Sequence, residues 1–151
     1  MLIAIIRPDA WNFPLLLHVL GAMLMVGALV LAGTALVLSW RDGGAAMTRL
    51  GYRALLLGVV PSFILMRAGA EWIASKEGLE NSDVAWIGIG FTTSDIGAVL
   101  IIIATVLAAF AMRRAARSEG ASNLGRASTV LVGLVLIAYV VTIWAMTTKP
   151  T

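Results

Sequence analysis

The chain has 151 residues, of which 60% are hydrophobic and 13% charged. A soluble domain carries about 25% charged residues, so this composition excludes an ordinary water-soluble fold. The net charge of +3 is not a nucleic-acid signal, because the basic residues sit in short loops between apolar blocks, where membrane proteins use them for orientation. The absence of cysteine excludes disulfides and thiolate metal sites.

Four apolar blocks separated by short polar loops predict one all-α integral membrane domain over residues 1–151, a four-helix transmembrane bundle. Residues 1–10, MLIAIIRPDA, are too short to span. They read as an interfacial segment with neither a cationic n-region nor a cleavage pattern, and Trp11 follows as an anchor. Span one is expected at 12–39, with Pro14 in its first turn, where a missing N–H costs nothing, and Trp40 as the opposite anchor.

The next loop carries Arg41, Arg49 and Arg53, and its Gly43-Gly44 pair is a turn signal. Span two is expected at 50–72, kinked at Pro61, which removes one helical hydrogen bond. Its charge-free part, 54–66, is too short to cross by itself. It therefore takes in Arg67 and Glu71 and ends near Trp72. The segment from Ile73 to Phe91 reads as the longest connection, with an acidic first part and an apolar second part, VAWIGIGF. Span three is expected at 92–112, because Thr92 and Asp95 have capping-box spacing. Arg113, Arg114, Arg117 and Arg126 mark the following loop, and span four is expected at 128–146.

Loops one and three hold seven of the eleven Lys and Arg residues. The excess of basic residues on cytoplasmic loops then predicts N-out/C-out topology in a bacterial cytoplasmic (inner) membrane. Trp11, Trp72, Trp86 and Trp144 fall at the outer face of that plan and Trp40 at the inner one. No internal repeat is visible. Gly21, Ala28 and Ala32 on span one, and Gly97, Ala104 and Ala108 on span three, have the spacing of close helix packing.

The polar residues within the spans are the candidate site. His18 lies about 10 Å below Trp11, and Arg67 about 7 Å below Trp72, at 1.5 Å per residue. Glu71 is one turn from Arg67, and Asp95 opens span three at the same face. Intramembrane ionisable groups are costly unless they pair, snorkel or face a cavity. His18, Arg67, Glu71 and Asp95 are therefore expected to converge as a cofactor-binding cluster for a haem or a quinone. Each also has a plain structural role available: Arg67 snorkelling beside Glu71, Asp95 as a helix cap, and His18 as a neutral imidazole bonded across helices to a backbone carbonyl or to Asp95. His18 and Met66, at matched depth, are the candidate metal pair, although methionine is more often packing than ligand.

The run Leu17-His18-Val19-Leu20-Gly21-Ala22 followed by Val26-Gly27 resembles the first-helix pattern of the copper-resistance D and HemJ-like families. It also resembles the four-helix membrane proteins of the DUF2269 group. Met25-Val26 stands where those families carry an aromatic residue, and their further histidines are absent. The resemblance covers about ten residues and implies that His18 is a haem or metal ligand.

Two functions are expected. One is a non-catalytic accessory or assembly subunit of a respiratory-type membrane complex, supported by minimal loops and the lack of a catalytic motif. Its partners would be lipid and other membrane subunits, docking through the outer 75–91 segment, with Trp86 and Ile87 as contacts, and through the small-residue helix faces. No nucleic-acid partner is expected. The other is a haem-, metal- or quinone-binding protein built around His18. A transporter has less support, because one charged cluster on one side leaves no relay across the membrane.

Overall fold

The computed structural model describes residues 12–40, 44–78, 85–117 and 123–148. Every element among them is helical: α1 (Asn12–Leu38), α2 (Gly44–Arg53), a π-helical segment (Ala54–Val59), α3 (Val60–Glu77), α4 (Ala85–Ala115) and α5 (Asn123–Thr148). Because α2, the π segment and α3 run on as one helix over Gly44–Glu77, four helices are long and apolar enough to cross a membrane. The 27 residues of α1 make a rod of about 40 Å, more than the roughly 30 Å of a hydrocarbon core. Large apolar side chains such as Leu16, Met23, Leu57, Ile102 and Ile137 stand exposed around the whole bundle. An apolar surface of that extent suits a lipid surrounding.

The helices are longer than the loop signals suggest. VAWIGIGF is helix rather than connection from Ala85 onward, and the expected start of span three at Thr92–Asp95 lies well inside α4. Capping-box spacing misleads here because the apolar periodicity continues upstream of it. Ile87 is buried, and Gly90 packs closely against the Met146 side chain, so tertiary contact offsets the weak helix propensity of this glycine-containing segment. The connection between α3 and α4 thus shortens to 78–84. Span two, expected to end near Trp72, continues to Glu77. Gly78 stops it with left-handed φ of 67° and an N–H donated to the Ala74 carbonyl. Directly before Pro61 lies the π segment, in which Val60 N–H reaches Leu55 O. A π turn widens the helix just where a proline ring crowds the preceding turn.

The bundle is two hairpins packed together, α1 against α2–α3 and α4 against α5. Near the Trp40 end the packing is close. Leu36 lies over Gly51, Ala28 faces Gly58, and Ser128 Oγ donates to the Ala104 carbonyl across 2.9 Å. Along the two helices Gly21, Ala32, Gly97, Ala104 and Ala108 are buried, so both small-residue faces are occupied within the chain. Toward the Trp72 end α1 stays against α3 and α4 against α5, but α3 and α4 hardly touch.

Candidate functional site: a groove at the Trp72 end

Two glycines set the crossing that holds His18. A side chain on Gly21 would run into the backbone of Met66, and one on Gly69 would come within 2.5 Å of the His18 backbone nitrogen. The two backbones therefore approach as closely as small residues permit. At this crossing His18 Nδ1 lies 3.0 Å from the Met66 carbonyl oxygen. A carbonyl only accepts, so Nδ1 carries the proton, and in the neutral ring Nε2 keeps its lone pair. No hydrogen bond from the described residues reaches Nε2, which is not among the enclosed, unpartnered polar atoms.

Arg67, the next residue on α3, turns toward α4. Its Nε donates to Glu71 Oε1 at 2.7 Å, its Nη2 lies 3.0 Å from Asp95 Oδ1, and its guanidinium sits 4.9 Å over the Phe91 ring. Arg67 is the least exposed of the three at 25%, against 57% for Glu71 and 68% for Asp95. The Arg67–Asp95 pair is an ionic strap across the gap between α3 and α4. One cation faces two carboxylates, so the cluster is acidic by one charge.

Behind the strap lies a groove of about 750 Å³ walled by α1, α3, α4 and α5, within the range of pockets that hold drug-sized ligands. Its walls are mostly aliphatic, with Met23, Met25, Met66 and Met146 among them. The polar lining includes His18, Arg67, Glu77 and Thr142. Under its α4–α5 wall the Tyr139 hydroxyl lies against Gly97 and beside Ser94. Both hydroxyl oxygens are enclosed by protein without a hydrogen bond of good geometry.

Of the four expected site residues, Arg67, Glu71 and Asp95 are joined directly, while His18 lines the same groove as Arg67 without touching the carboxylates. Glu71 and Asp95 hold Arg67 from outside rather than lining the groove. Asp95, expected as a helix cap, is instead a mid-helix partner of Arg67. His18 and Met66 meet through the methionine's carbonyl. Among the described residues no group of three or more His, Cys, Asp or Glu could hold a metal. Phe91, Ser94 and Tyr139 escaped the sequence reading. Of these, only Tyr139 carried a signal, a polar atom in the middle of an apolar span.

Trp72 meets Phe13 edge-on at 6.0 Å, which sets both at this end of the bundle. Ile87, expected on a docking surface, is buried and lines the groove. Trp11, the 1–10 segment and most of the connection after Gly78 lie outside the described residues, as does the side chain of Trp86. Compared with protein-family models, curated proteins and solved structures, the chain matches none.

Proposed function

We propose that this is a multi-pass protein of a bacterial cytoplasmic membrane, N-out and C-out and bent at Pro61, that holds a neutral amphiphile of the quinone class in the groove. The observation that carries this reading is His18: an imidazole acceptor without a partner among the described residues, beside a mostly aliphatic groove. A polar atom left without a partner in such surroundings is costly, and a quinone-type head group would supply one. The flexible methionine walls suit an alkyl or isoprenoid tail.

Charge selects against haem. Arg67, expected to meet a propionate, already faces Glu71 and Asp95. Two propionates would add negative charge to an acidic site. The likeness of the His18 segment to haem- and copper-associated families is the support for iron or another metal at Nε2. Absorption separates the two ligands. Protein purified from bacterial membranes in mild detergent should show no Soret band, and its lipid extract should contain quinone in stoichiometric amount. A Soret band lost on His18→Ala would overturn the quinone reading.

A second reading, an accessory or assembly subunit of a respiratory-type complex, draws support from connections of only seven residues, 78–84 and 116–122, between the later helices. Chemistry in the aqueous phase would fall to another chain, docked on the 75–91 segment. Trp86→Ser should release such a partner, whereas Ile87→Ser would damage this chain's own packing. Because the chain lacks cysteine, single cysteines test the topology cleanly. An impermeant thiol reagent on intact cells should label Ser82→Cys and spare Ser118→Cys; the reverse pattern inverts the bundle.

A further inference from the structure

We infer that the groove selects the reduced, hydroxyl-bearing form of its ligand, a quinol over the corresponding quinone; this rests on the quinone-class reading above. The argument is a hydrogen-bond inventory at His18. Its donor nitrogen is committed to the Met66 carbonyl across the α1–α3 crossing. That crossing cannot slacken locally, because Gly21 and Gly69 bring the two backbones into contact on either side of it. The ring is therefore held with Nε2 as an acceptor. A quinone carries only carbonyl acceptors and finds no donor at that atom. A quinol hydroxyl donates to it.

The charge of the remaining lining points the same way. Among the described lining residues Arg67 is the one fixed cation, and Glu71 and Asp95 take two of its five N–H donors. The local charge is acidic, which disfavours an electron-rich oxygen and tolerates a neutral O–H donor. Ser94 and Tyr139 lie with their oxygens enclosed by protein, so they do not offer donors to the groove in their place. The groove thus presents an accessible acceptor at the point where an oxidised head group would need a donor.

The test uses the full chain in nanodiscs at pH 8. A decyl-substituted benzoquinol, kept anaerobic, and its benzoquinone are titrated separately. One hydrogen bond corresponds to a preference of roughly two- to tenfold for the quinol. Asparagine keeps an amide donor near the position of Nδ1 but has nothing at Nε2, so His18→Asn should erase the preference while leaving the Met66 contact. A second readout avoids dependence on the variant. His18 is the only histidine, so ¹⁵N-histidine labelling gives a single imidazole spectrum. It should show Nδ1 protonated and Nε2 bare, with the Nε2 resonance moving on quinol addition and hardly on quinone addition. Equal binding of the two forms, or a protonated Nε2 in the free protein, overturns the inference while the quinone-class reading stands. Failure of both compounds to bind overturns both.

Discussion

The two ends of the bundle are built from the same apolar alphabet and differ in what lies at the helix crossings. Near Trp40, Gly51, Gly58 and Ala104 let Leu36, Ala28 and Ser128 press against neighbouring helices. Met25, Leu29, Leu55, Val59 and Val132 fill the space between them. Near Trp72, glycines bring α1 against α3 and α4 against α5, but the α3–α4 gap is bridged by a side chain, Arg67, rather than by packing. In lipid there is no hydrophobic drive to close such a gap, because tails are as apolar as leucine. A bundle therefore closes only where surfaces fit. The end without a fit is the end with the groove.

The comparison breaks most severely at Gly69. Its replacement by leucine would push a side chain into the backbone at His18 and Pro14, where no rotamer gives relief. A loss of about 3 kcal/mol or more is expected from overpacking, seen as aggregation on size-exclusion chromatography after mild heating. Recovery of a monodisperse protein would mean that the α1–α3 crossing is looser than described.

A matched pair sharpens the contrast. Leu36, fully buried at the packed end, should cost about 2 kcal/mol on truncation to alanine. That is the cavity term alone, since lipid rather than water is the alternative surrounding. Ala70→Phe at the other end adds volume to a groove that has room. It should leave the melting temperature nearly unchanged while displacing bound quinone. Equal destabilisation by the two substitutions would mean that the groove end is as tightly packed as the other.

The smallest effect is expected at the strap. Asp95→Asn removes the charge that ties Arg67 to α4, but Asp95 is largely exposed and Arg67 retains Glu71. Stability should fall by less than about 1 kcal/mol. The gap between α3 and α4 should widen, measurable as a longer spin-label distance between Ala68→Cys and Ile96→Cys. An unchanged distance would show that the lipid-facing packing, not the strap, sets the separation.

Hydropathy alone determined that four helices long enough to cross a membrane would form, because length and apolar content are properties of a segment by itself. It also placed Arg67, Glu71 and Asp95 at one end of the chain's folded path, since helical rise converts residue counts into depth. Helix ends were harder to read. Whether VAWIGIGF continues α4 depends on Ile87 and Gly90 finding α5 to pack against, and no local signal contains that contact. The same limit applies to the site. Depth matching brought His18 beside Met66 but left its partner open between a backbone carbonyl and Asp95. Only the Gly21–Gly69 crossing decided that Nδ1 meets Met66 O. The role of Asp95 as a strap, and the groove itself, arise from α3 and α4 standing apart at the Trp72 end. Which helix surfaces interlock is a property of pairs of helices that a single strand of sequence does not express.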